Sequence, residues 1–168
     1  MLIVSSLAGA QDAFSTHNPN WVISLLSSEE SAPSFDGLPV NNHLHLYLES
    51  DDCSATISTA AEARANEIIN FIRGWDGAGN ILIHCNRGVS RSMAAAFIIL
   101  CATNPDRSER AMADILRNAA PHADPCLLMI SHADEILERD GEMLDAIEEM
   151  TPPCSEIAAP TMTLPLAS

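Results

Sequence analysis

Cys85 and Arg91 stand six positions apart in the stretch His84-Cys85-Asn86-Arg87-Gly88-Val89-Ser90-Arg91-Ser92, and together they could attack and hold a phosphate-like anion. The attacking form of a cysteine is its thiolate, which a helix N-terminus and a nearby guanidinium both favour. Arg91 offers a planar fork able to grip two oxygens of a tetrahedral dianion. Asn86, Arg87, Gly88, Val89 and Ser90 lie between them, enough chain for one phosphate-sized ring whose backbone N–H groups turn inward. Gly88 sits mid-loop, where such a backbone needs a positive φ or a close approach. Ser92 could donate to the sulfur when it becomes a leaving group, and His84 could hold the loop from behind.

A loop of this kind has to be held between rigid elements. Ile81-Leu82-Ile83 just before it is an apolar run suited to a strand buried on both faces of a parallel sheet, and Met93 to Ala102 just after it is apolar enough for a buried helix. Strand, tight loop and helix aim a helix N-terminus at an anion. Upstream, Leu2–Leu7, Trp21–Leu26 and His43–Leu48 read as strands. Ala8–His17 reads as a short helix and Ser27–Asn42 as a loop. Thr59 and Glu62 form a capping-box pattern opening a helix with Ala65, Ile68, Ile69 and Ile72 on one face, closed at Gly74. Downstream, Ser108 caps a helix that Pro121 stops. Asp124-Pro125 opens another running to about Asp140, and Glu142–Met150 forms a last one.

Strands alternating with helices predict an α/β fold around a central, mostly parallel sheet of four strands, with room for a fifth. Residues 1–150 are expected to form a single catalytic domain, and 151–168 an extended Pro-rich C-terminal tail. Ligands in such sheets bind at the carboxyl ends of strands, where Cys85 would lie.

The nine residues resemble the signature of the cysteine-based protein tyrosine phosphatases: His-Cys, five residues, Arg, then Ser or Thr. The Gly88-x-Ser90-Arg91-Ser92 ending is most similar to the compact dual-specificity-like branch, including its small bacterial members. The likeness continues more weakly from His43 to Arg139. It implies attack of Cys85 on phosphorus to give a cysteinyl-phosphate, without metal or cofactor, Arg91 stabilising the transferring group. An aspartic acid on a separate loop would protonate the leaving oxygen. The stretch at that place reads Glu49-Ser50-Asp51-Asp52-Cys53. Ungapped comparison puts Ser50 at the acid position, and a one-residue slip gives Asp51, favoured here over Asp52 and Glu49.

The implied substrates are phosphorylated proteins or small phosphomonoesters carrying phosphotyrosine, with phosphoserine and phosphothreonine admitted by a shallow pocket. Two other classes stay open: a phosphate-binding module without turnover, and a rhodanese-like sulfurtransferase, against which the Gly-x-Ser-Arg-Ser ending counts. The remaining histidines, His17, His43, His45, His122 and His132, show no metal-ligand spacing and read as surface or strand residues. Asp134 and Glu135 are expected to face solvent. Cys53, near the acid stretch, could form a disulfide with oxidised Cys85. Arg87 could bind a second acidic group.

The chain has 168 residues and a net charge of −15, and its eight basic residues are all arginine. That balance argues against a nucleic-acid partner, which needs a basic patch, and favours substrates with basic flanks. The absence of lysine hints at a GC-rich bacterial genome. The five cysteines, odd in number and never in CxxC spacing, argue against a disulfide framework or zinc and for a reducing cytoplasm. No apolar run approaches the roughly 18 residues that span a membrane, and no basic leader precedes Leu2.

Overall fold

Period-two alternation gives each central strand two apolar faces. In the computed structural model, which describes residues 1–49, 53, 59–154 and 159–166, Leu2 and Val4 of β1 (Leu2–Ser6) point into the main core while Ile3 between them joins a second, smaller one. The same split recurs in β4 (Ile81–Cys85), with Ile81 and Ile83 on one side and Leu82 on the other. Such strands need cover on both faces.

The sheet has five strands, ordered β3-β2-β4-β1-β5. β2 (Trp21–Leu26) and β3 (His43–Tyr47) run parallel to β4 and β1. β5 (Met162–Leu164) is antiparallel to β1, pairing Val4 with Met162 and Leu2 with Leu164. The fifth strand thus comes from the C-terminal segment. Met162 and Leu164 alternate inward, which makes this short piece an edge strand.

α1 (Ala10–His17) packs with Phe35 and Leu38 on the smaller core. The other face is covered by α2 (Thr59–Arg73), α3 (Arg91–Thr103), α4 (Glu109–Ala119), α5 (Leu127–Leu137) and α6 (Glu142–Glu148). α3 lies at the centre of this layer, touching α2, α4 and α5 as well as β1 and β4. That position explains why every residue from Arg91 to Cys101 is buried. The Ser108 cap is present, its hydroxyl accepting from the Ala111 N–H at 3.3 Å.

Three expectations are corrected by tertiary contacts. α5 starts at Leu127, with Cys126 rather than Asp124 at its cap, because the Asp124 N–H is bonded to the Val89 carbonyl at 3.0 Å. Asp134 does not face solvent: only 6% exposed, it accepts from the backbone N–H groups of Gly141 and Met143 at 2.7 and 2.8 Å, capping α6 as the chain folds back. His122 is buried rather than at the surface or in a strand, held between α4 and α5. Glu135 is exposed, as expected.

Candidate active site

β4 sits mid-sheet, so its carboxyl end is fixed on both sides. Cys85, its last residue, stands opposite Ser6 of β1 and Leu25 of β2. The Leu7 N–H then bonds to the Asn86 carbonyl at 3.1 Å, carrying the parallel pairing one step into the loop. The chain next turns back under the sulfur. The Gly88 N–H points at Cys85 Sγ at 3.2 Å, and the Ser92 hydroxyl lies 3.1 Å from it. Cys85 is 2% exposed, so only a small group that enters the pocket reaches it.

Gly88 has φ +72°, and a Cβ there would lie 2.9 Å from the Ser6 nitrogen and 3.0 Å from Ser5 backbone atoms. Positive φ and close approach therefore coincide, and no other residue type fits the position without moving β1.

Arg91 is the first residue of α3 and is 6% exposed. Its Nη1 donates to the Leu48 carbonyl at 2.8 Å and to Ser27 Oγ at 3.2 Å, and its Nη2 lies 3.8 Å from Glu30 Oε2. Glu30 also accepts from the Asn86 side-chain amide and, at 2.7 Å, from the Ser27 N–H. Burial pushes the Glu30 carboxyl up, but these donors and the Arg91 charge outweigh it and hold the group below its ordinary range. One carboxylate thus bridges the start of the loop and its cation. Nothing in the spacing of Glu30 within the Ser27–Asn42 loop marks it, because the contact spans 56 positions.

Behind the loop, His84 Nε2 lies 2.7 Å from Ser24 Oγ, and the same hydroxyl lies 2.8 Å from His43 Nε2. Ser24 can donate to one ring and accept from the other. The His43 and His45 rings are 3.7 Å apart. Burial first, then the neighbouring His43 and His45, lowers the His84 pKa to about 4; burial and His45 lower that of His43 to about 4. His84 is therefore a neutral brace behind the loop at ordinary pH.

The loop opens onto a pocket of about 390 Å³. Cys85, Asn86, Arg87, Val89, Ser90 and Arg91 line it, joined by Ser27, Cys53 and Asp124 from three distant segments. Arg87 is exposed at its edge. Asp124 was legible only as a helix cap; the Val89 bond brings it to the pocket. Glu49, one of the acid candidates, is exposed and accepts from the Ser28 N–H at 2.7 Å. Ser50, Asp51 and Asp52 lie outside the described residues. Cys53 shares the pocket with Cys85. Among the described residues, no group of three or more His, Cys, Asp or Glu side chains is placed to hold a metal ion, and no helix is long and apolar enough to cross a membrane.

No protein-family model and no curated protein sequence matches the chain. Its structure is similar to several solved ones. DUSP15 superimposes with a TM-score of 0.63 at 19% identity, over 89% of this chain and 92% of that one. The human tyrosine phosphatase-like serine/threonine/tyrosine-interacting protein gives 0.60 at 17%, over 83% and 92%. PTP-2 phosphatase of Cydia pomonella gives 0.59 at 20%, over 80% and 84%. With the His84–Ser92 loop seated at the carboxyl end of the central strand, the chain carries the α/β fold of the cysteine-based tyrosine and dual-specificity phosphatases.

Proposed function

We propose that the chain is a phosphoric monoester hydrolase acting on phosphotyrosine, and also on phosphoserine and phosphothreonine, through a cysteinyl-phosphate at Cys85. The observation that carries this is the seat of Cys85 Sγ, in the pocket with the Gly88 N–H and Ser92 hydroxyl on the sulfur and Arg91 at the rim. The sulfur attacks phosphorus as the ester oxygen departs. Arg91 and the inward N–H groups of residues 86–91 stabilise charge on the transferring oxygens. Asp51, assigned from the resemblance, protonates the leaving oxygen. Water then cleaves the S–P bond while Ser92 donates to the departing sulfur. Breadth of substrate is supported by the described pocket lining, which includes no aromatic wall to demand a phenyl ring.

Release of p-nitrophenol from its phosphate at mildly acidic pH, in EDTA, tests the reading. Turnover is expected in the parent chain and background in Cys85→Ser, with tungstate binding retained. Asp51→Asn should keep binding and slow turnover most with poor leaving groups. Bound phosphate without turnover in the parent would make the chain a binding module. Sulfur transfer from thiosulfate to cyanide would make it a sulfurtransferase.

A further inference from the structure

The segment between α4 and α5 meets the pocket with one side chain out. His122, Ala123, Pro125 and Cys126 are buried, and Asp124 between them is exposed and lines the cavity that holds Cys85. Among the described residues it is the one carboxylate in that lining. Its N–H donates to the Val89 carbonyl at 3.0 Å, which ties this stretch of wall to the cradle itself. Pro125 holds the residue before it to extended backbone, so Asp124 has little freedom to swing away. Glu30 shows the contrast. That carboxylate is engaged by Arg91, the Ser27 N–H and the Asn86 amide, whereas Asp124 enters no ion pair among the described residues.

We propose, resting on the phosphatase reading above, that Asp124 is the proton acceptor for the second half of that reaction, the hydrolysis of the cysteinyl-phosphate. Cys85 is 2% exposed, so the leaving oxygen departs and the water arrives on the open side of the pocket, where Asp124 lies. The water oxygen bonds to phosphorus, the S–P bond breaks with its electron pair on sulfur, and the water proton passes to an Asp124 carboxylate oxygen. Inorganic phosphate leaves, and the exposed carboxyl returns the proton to solvent. The two halves move protons in opposite directions, one given to the leaving oxygen and one taken from water. Two separate carboxylates serve them.

Rapid-quench kinetics with p-nitrophenyl phosphate in EDTA separate the two halves, because p-nitrophenol leaves with little help from an acid. Asp124→Asn should release a stoichiometric burst of p-nitrophenol and then turn over more slowly than the parent, on the order of 10²-fold. The quenched variant should carry a phosphoryl group on the Cys85 peptide by mass spectrometry. Its tungstate affinity should match the parent, since the Val89 bond uses the Asp124 backbone. Asp124→Ala should accumulate the same phospho-enzyme. Slowing without a burst, steeper for poorer leaving groups, would overturn the proposal by making Asp124 the acid of the first half. Unchanged steady turnover would overturn it too, as would loss of tungstate binding in both variants, which would make Asp124 a prop for the cradle. A parent chain that releases no p-nitrophenol fails the phosphatase reading itself, a result distinct from an active parent beside an equally active Asp124→Asn.

Discussion

The loop under Cys85 and the wall above it are built on different length scales. In the loop, Gly88 and Ser92 reach the sulfur across three and seven positions of one continuous stretch. In the wall, Arg91 meets Leu48 across 43 positions and Ser27 across 64, and Asn86 meets Glu30 across 56. The loop's contacts to the sulfur are local, although Leu7 and Asp124 also hold its backbone from other segments. The wall exists only after the sheet has formed. In the proposed reaction the loop supplies the reactive atoms, and the wall sets how tightly their charge is held and what approaches them.

That contrast breaks if wall substitutions cost as much as loop substitutions. The largest effect is expected from Arg91→Lys, which keeps the charge but loses the fork that spans Leu48, Ser27 and a bound dianion. Turnover of p-nitrophenyl phosphate should fall on the order of 10²–10³-fold in steady-state kinetics. Gly88→Ala should destabilise the chain by about 1–3 kcal/mol, because an alanine at φ +72° also presses on Ser5 and Ser6 backbone. Thermal unfolding would register this as a Tm lower by several degrees, and an unchanged Tm would mean that β1 can retreat.

The brace behind the loop can be probed by pH. His84 titrates near 4 when folded against an ordinary 6.5, so the unfolded chain binds the proton more readily. The stability it contributes is complete above 6.5 and drains away as pH falls toward 4. The loss from pH 7 to pH 5 should be about 2 kcal/mol. It appears as a difference in pH dependence between the parent and His84→Asn, which separates it from the response of the acidic surface. The smallest effect belongs to the wall. Glu30→Gln removes the carboxylate that competes with an anion for Arg91, so tungstate affinity should rise about two- to fivefold in calorimetry. A large loss of affinity would show instead that Glu30 is indispensable to the shape of the cradle.

Much of the fold could be read from local pattern. The apolar runs at Ile81–Ile83 and Met93–Ala102 fall within β4 and α3, and the residues from Thr59 to Arg73 form the helix that their periodicity predicts. The misplacements share one cause. Local sequence predicts a solvent-facing Asp134 and an α5 opening at Asp124, but each is decided by a partner brought in by chain reversal, and His122 is buried between α4 and α5. The tail shows the same effect: Met162–Leu164 is too short to register as a strand until β1 presents a free edge.

The sequence alone placed the proposed nucleophile Cys85, the Arg91 cation and the glycine between them, because their spacing closes a ring whose geometry is local. It also determined the strand and helix that hold that ring. Only the tertiary structure decided which carboxylate meets Arg91 and which side chains wall the pocket. Those pairings join segments whose separation along the chain carries no periodic signal, so they are defined only where the packed sheet and its helical layer bring them together.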